Sequence, residues 1–137
     1  MKYFGTDGFR GEANDGLTVE HAYKIGRFVG WYYGANRSAK ARVIVGKDTR
    51  RSSYMFEAAL VSGLVASGAD AYMLHVIPTP GVAHQTVEGC FDCGIMISAS
   101  HNPFCDNGIK LVNSDGFKMD EDVLELIEDY IDGKSEV

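Results

Sequence analysis

The sequence predicts an α/β fold: a three-layer α/β/α sandwich around a mixed four-stranded sheet, mostly parallel with one antiparallel edge strand. Two observations carry this. Short apolar runs alternate along the chain with segments whose apolar residues recur at helical spacing, the pattern of right-handed crossovers over a sheet covered on both faces. Later, the turn signal Asp106-Asn107-Gly108 sends a strand back against its predecessor.

The elements follow in order. Thr18 is placed to cap a helix carrying Ala22, Ile25, Val29 and Tyr32/Tyr33 on one face, with Gly34 as its stop. Ala41 to Val45 is a short strand. Ser52 or Ser53 opens a second helix with Phe56, Leu60 and Leu64 on one face, closed by Gly68. Asp70 to Ile77 is a strand, and Pro78-Thr79-Pro80 leads into a short helix to about Glu88. Cys93 to Ser98 is the third strand, and Ile109 to Val112 returns as the fourth. Asp120-Glu121-Asp122 places acidic groups at the positive end of a last helix. That helix turns Val123, Leu124, Ile127, Tyr130 and Ile131 inward and ends at Gly133.

The 137 residues suit a single domain spanning the chain, and a hydrophobic fraction of 45% is ordinary for a globular protein. The net charge of −6 and a pI near 5.1 come with no basic stripe, so no nucleic-acid partner is expected. No apolar run is long enough to span a bilayer and none reads as a signal peptide, so neither membrane nor secretory context is expected. Three cysteines without such a signal read as reduced thiols of a cytoplasmic protein. Asn36-Arg37-Ser38 fits a glycosylation sequon but lacks that context.

In a doubly wound sheet, ligands bind outside the carboxyl ends of the strands. Three loops leave those ends: Gly46 to Arg50, Ile77 to Pro80, and Ser98 to Asn102. The last, in Ile97-Ser98-Ala99-Ser100-His101-Asn102-Pro103, holds a hydroxyl at Ser100. A hydrolase reading through the adjacent His101 is disfavoured. Neighbours in an extended loop point apart, and Ser100 lacks the flanking glycines of a nucleophile elbow.

Phosphoryl transfer fits better, since a serine carrying phosphate needs cations and donors around it. The returning strand brings Lys110 beside the end of the Ser100 strand, where a lysine holds phosphate or shuttles a proton. The GxxGxxG spacing at Gly5, Gly8 and Gly11 brings backbone and Arg10 toward an anion. Taken singly, each feature has a plainer reading: Ser100 as a turn hydroxyl, Lys110 as a solvated strand residue, the glycines as a tight turn. Asp48 and Arg50 read as loop ties more readily than as chemistry.

Two further signals do not hold. Gly133-Lys134-Ser135 follows a helix instead of opening one, and Glu128 stands where a Walker A loop needs glycine. Cys90-Phe91-Asp92-Cys93, with Cys105 and His101, has no second CxxC and reads as small thiols before zinc. His21, His75 and His84 read as packing or surface residues.

The motifs taken together resemble the alpha-D-phosphohexomutase family. They are "YFGTDGFRG" from Tyr3, "VGKDTRRSSYMFEAAL" from Val45, "VIPTPGVA" from Val76 and "ISASHNPFCDNGIK" from Ile97. The resemblance covers nearly the whole chain, is most specific in the last motif, and is greatest to members acting on glucosamine phosphates in amino-sugar synthesis. It implies that Ser100 carries the transferable phosphate, with His101, Lys110 and Arg10 supporting proton transfer and phosphate placement. It implies a hexosamine phosphate as substrate and a magnesium ion held through the Ser100 phosphate.

The family's other magnesium ligands belong to a D-x-D-x-D loop that these residues lack. The chain therefore resembles the first, phosphoserine-bearing domain of a four-domain enzyme, expected to be inactive without the remaining domains. A family member acting on glucose or mannose phosphates is a rival reading. A stand-alone phosphate-binding module without turnover is another.

Overall fold

The computed structural model describes residues 1–35 and 39–137. Among them four helices and five strands form in the order β1 (Phe9–Glu12), α1 (Val19–Gly34), β2 (Arg42–Lys47), α2 (Arg51–Ala66), β3 (Asp70–Val76), α3 (Thr79–Glu88), β4 (Cys93–Ile97), β5 (Asp106–Asn113) and α4 (Glu121–Ile131). The sheet runs β1-β5-β4-β2-β3. β2 pairs in parallel with β3 and β4, while β5 is antiparallel to both β4 and β1. The sequon Asn36-Arg37-Ser38 lies outside the described residues. No described helix is long and apolar enough to cross a membrane.

The α/β class holds, and the strand count and edge are corrected. Five strands form instead of four, and the antiparallel strand β5 is internal, flanked by β4 and β1. β1 has only one buried apolar residue, Phe9, in four, so no alternation marks it in the sequence. It becomes a strand because β5 pairs with it: Phe9 with Ile109, Arg10 with Gly108, Glu12 with Asp106.

The same pairing overturns the expected turn, for Asp106-Asn107-Gly108 is extended and opens β5. Gly108 is needed for close approach, since a Cβ there would lie 2.8 Å from the Ser98 carbonyl oxygen and 2.9 Å from Arg10 Cγ.

Helix starts follow from local chemistry. Thr18 accepts from the His21 amide at 3.3 Å and its own amide donates to His21 Nδ1 at 3.1 Å, a capping box with histidine in the place of glutamate. α2 begins one residue earlier than expected, with Arg50 as N-cap. Ser52 and Ser53 do not cap it, because both hydroxyls accept from Asn107 Nδ2 at 2.8 and 2.9 Å.

Strand residues alternate between two cores. Val43, Val45, Ile95, Ile97, Ile109 and Leu111 join buried residues of α1, α2 and α4, whereas Ile44 and Met96 face Val82 of α3 and Phe91. This gives the three layers, with the α3 side the thinner.

Helices α1 and α2 cross at glycine. A Cβ on Gly63 would lie 2.2 Å from the Tyr23 carbonyl oxygen and 2.7 Å from the Arg27 nitrogen, both backbone atoms that cannot rotate away. Alanine at this helical position gains about 1 kcal/mol in propensity. Overpacking a close-packed contact costs about 3 kcal/mol, so packing wins. Gly63→Ala is expected to lose about 2 kcal/mol in urea unfolding; a variant as stable as the parent would show that the helices are free to separate.

The N-terminal segment leading to β1 is held by α4. Glu128, buried, accepts from the amides of Lys2 (2.9 Å), Tyr3 (2.8 Å) and Phe4 (2.8 Å). Burial opposes its ionisation, but these three amides and the N-terminal charge outweigh burial and hold its pKa below the ordinary glutamate value. A carboxyl depressed on folding contributes stability above its unfolded pKa, near 4.3, and loses it as pH falls through the folded value.

The contribution of Glu128 is therefore expected to be constant from pH 7 to about 5 and to weaken below about 4.5. Glu128→Gln should cost about 2 kcal/mol at pH 7 and flatten that acid decline. An unchanged acid decline in the glutamine variant would place the titrating group elsewhere.

Candidate functional site

Three segments converge where the parallel strands end: the β2–α2 loop, the loop leaving β4, and the start of β5. Backbone hydrogen bonds tie their bases, from Asp48 N to Ile97 O (3.1 Å) and from Ser98 N to Gly108 O (2.9 Å). Ser100 follows, exposed, with φ at +53° and its amide donating to Ser98 Oγ at 3.0 Å. A left-handed conformation costs a non-glycine residue about 1–2 kcal/mol, so it persists only where its surroundings enforce it.

Those surroundings are two arginines and an asparagine. Arg50 Nη2 donates to the carbonyl oxygens of Ser100 (3.0 Å) and Asn102 (2.8 Å), while Nη1 bonds Asp48 Oδ2. Arg10 Nη1 reaches Asn102 Oδ1 at 3.3 Å, and Asn102 Nδ2 donates to Asp106 Oδ2 at 3.3 Å. The Nε groups of Arg10 and Arg50 are buried without a hydrogen-bond partner, and the outer nitrogens of both guanidinium groups are the cationic donors on the serine loop. Such donors suit an anion.

Asp48 anchors the cluster. It accepts from the Arg50 amide (3.0 Å) and Ser53 Oγ (2.6 Å) besides the guanidinium. Partial burial pushes its pKa up, but hydrogen bonds from Ser53, the Arg50 amide, Ser98 and the Arg50 side chain outweigh that and hold it below the usual carboxylate value. Asp48 therefore stays ionised opposite Arg50.

The structure brings Ser100 and Arg10 to one loop, linked through Asn102. His101 is exposed beside Ser100. Lys110 pairs with Met96 in β5 and lines a cavity of about 270 Å³ with Thr6, Gly8, Thr79, Pro80 and Lys118. Its stem lies over Gly8, where a Cβ would come 2.8 Å from Lys110 Cγ. Lys110 thus faces the α3 start, and no hydrogen bond joins it to Ser100.

Asp48 and Arg50 are the loop ties the sequence suggested. Ser53 and Asn107 were missed; only their small polar side chains beside the DTRRS and DNG runs hint at a network. Cys93 is buried, Cys90 and Cys105 are exposed, and no three His, Cys, Asp or Glu among the described residues are grouped to hold a metal ion.

Residues 1–137 match the family model described as phosphoglucomutase/phosphomannomutase, alpha/beta/alpha domain I. A phosphoglucosamine mutase of Lachnoclostridium phytofermentans is 69% identical over 97% of this chain and 29% of its own length. One from Lachnospira eligens is 67% identical over 97% of this chain and 30% of its own. The chain thus spans less than a third of these relatives.

Among solved structures, a phosphoglucomutase/phosphomannomutase family protein from Burkholderia thailandensis superposes with a TM-score of 0.80 at 27% identity, covering 98% of this chain and 31% of that one. A putative phosphomannomutase from Thermus thermophilus gives 0.81 at 28% identity, over 93% of this chain and 29% of that one. With the family model matching residues 1–137 and relatives at 67–69% identity over 97% of the chain, the chain belongs to the phosphoglucomutase/phosphomannomutase family, as its α/β/α domain I.

Proposed function

We propose that this domain carries the phosphoryl group of a phosphoglucosamine mutase, which interconverts glucosamine 6-phosphate and glucosamine 1-phosphate in the cytoplasm. One observation carries the reading: Ser100 stands exposed at the carboxyl ends of the parallel strands, on a loop braced by two guanidinium groups.

In the proposed cycle, phosphorylated Ser100 gives its phosphoryl group to the free hydroxyl of a hexosamine phosphate. The attacking hydroxyl loses its proton to a base, and the departing serine oxygen regains one. The sugar, now a bisphosphate, reorients, and its other phosphoryl group returns to Ser100. Arg10 is assigned to the phosphoryl oxygens, and His101 and Lys110 to the protons. Lys110 approaches from the α3 side, so its partner is the incoming sugar more readily than Ser100 Oγ.

The magnesium ion implied by the family fits these residues poorly. Magnesium takes about six oxygen ligands. Of the carboxylates in the loop network, Asp48 is already bound by Arg50 and Ser53, and Asp106 by Asn102. Here only the Ser100 phosphate would hold the ion.

Glucosamine is favoured over glucose or mannose because the relatives at 67–69% identity are named for it, whereas the phosphomannomutase likeness is at 28%. The full-length enzyme, primed with the matching bisphosphate, should turn over glucosamine 1-phosphate with kcat/KM at least about tenfold above glucose or mannose 1-phosphate. The isolated domain should be inactive, since positioning and charge neutralisation by the other domains are absent. Equal rates on the three sugars, or turnover by the domain alone, would refute this.

A further inference from the structure

We infer that Arg50 is a positioning residue for phosphoryl transfer: its guanidinium, anchored on Asp48, holds the backbone of the Ser100 loop in the conformation that presents the hydroxyl. The inference rests on the reading of Ser100 as phosphoryl carrier and extends it to a residue outside the loop, which does not touch the reacting oxygen.

The geometry is that of a clamp. Nη2 forks between the carbonyls of Ser100 and Asn102, at 3.0 and 2.8 Å, while Nη1 is committed to Asp48. Two carbonyls separated by one residue face a common donor only if the chain turns between them, and Ser100 at φ +53° begins that turn. The turn is closed locally by the Asn102 amide on the Ala99 carbonyl and the Ser100 amide on Ser98 Oγ, both at 3.0 Å; release of the fork would remove the restraint that α2 imposes on this left-handed conformation.

Arg50 is itself fixed. It is the N-cap of α2, its amide is bound by Asp48 at 3.0 Å, and its side chain is only 14% exposed. Asp48 is held by Ser53 at 2.6 Å, and Ser53 by Asn107 at 2.9 Å. Asn107 Oδ1 in turn accepts from the Gly108 amide at 2.8 Å. The loop is thereby referenced to α2 and β5, both rigid elements. Lysine cannot replace this arrangement, because an ammonium is a single point charge and the clamp needs a planar fork spanning a carboxylate and two carbonyls.

Ser100 acts twice in each cycle, as donor and as acceptor, so a loosened loop slows both transfers. Arg50 is committed to Asp48 and to loop carbonyls rather than to any group assigned to the sugar, so KM is spared. A displacement of about 1 Å costs about 100-fold in rate.

The test uses the full-length enzyme as wild type, Arg50→Lys and Arg50→Ala. Loading of Ser100 from a hexosamine 1,6-bisphosphate is followed by intact mass, steady-state kcat and KM are measured, and hydrogen exchange is mapped. Both variants should load and turn over about 100-fold more slowly, with KM within about threefold. Exchange should accelerate in residues 98–105 and nowhere else. Ethylguanidinium ion should restore part of the rate in Arg50→Ala.

Loading by Arg50→Lys at the wild-type rate would overturn the clamp, and so would a slowdown that only follows loss of folded protein. If Arg50→Ala fails to fold, Arg50→Lys, which keeps charge and stem, decides. Failure of the underlying reading looks different: the wild type would turn over with Ser100 never phosphorylated.

Discussion

Glu57→Leu is expected to destabilise the domain by about 3–5 kcal/mol. Lys47, at the end of β2, is 1% exposed, and its Nζ lies 2.9 Å from both carboxylate oxygens of Glu57 in α2. The Tyr54 ring stands 4.4 Å from the same ammonium. A buried pair contributes little net stability, because desolvating two ions offsets most of their attraction. Removal of one partner is different, since the remaining ion stays buried without its counter-charge.

The double variant Lys47→Met/Glu57→Leu is therefore expected to recover most of the loss, and a double-mutant cycle in urea measures the coupling. Single and double variants that are equally destabilised would mean that packing, not charge, holds the site. The pair joins β2 to α2 immediately around the loop that carries Asp48 and Arg50, so its loss should also loosen the candidate site.

Ser100→Ala in the full-length enzyme is expected to lower mutase kcat by at least about 10⁴-fold, because covalent transfer through the serine has no substitute nucleophile. Stability should stay within about 0.5 kcal/mol of the parent. Ser100 is exposed, its amide rather than its hydroxyl bonds Ser98, and alanine meets the same cost at a positive φ. This separation matters: loss of activity with an unchanged urea midpoint assigns the effect to chemistry. A midpoint falling with the activity would make Ser100 a structural turn residue.

The helices were the most legible part of the sequence. α1, α2 and α4 bury long apolar faces, and periodicity locates them to within a residue or two. β1 was not legible, because a strand of four residues with one buried side chain exists only through its pairing with β5. Asp106-Asn107-Gly108 was misread for a related reason. Turn chemistry and close backbone approach both select glycine, and only the Ser98 carbonyl and Arg10 side chain reveal which operates here.

In the site, Ser100 and Arg10 were legible from the motifs, and Asp48 and Arg50 as loop ties from their place after a strand. Lys110 was assigned to the neighbourhood of Ser100, and its side chain lines the cavity beside α3. Glu128 was noticed only as a residue that disqualifies a Walker loop. Its three hydrogen bonds reach residues 124 to 126 positions away, beyond any local pattern.

The most direct measurement is peptide mapping of the full-length enzyme after incubation with a hexosamine 1,6-bisphosphate. One phosphoryl group should appear on Ser100, leave when hexosamine monophosphate is added, and never appear in Ser100→Ala. Phosphate found on a different residue, or turnover with Ser100 unmodified throughout, would contradict the assignment of Ser100 as the phosphoryl carrier.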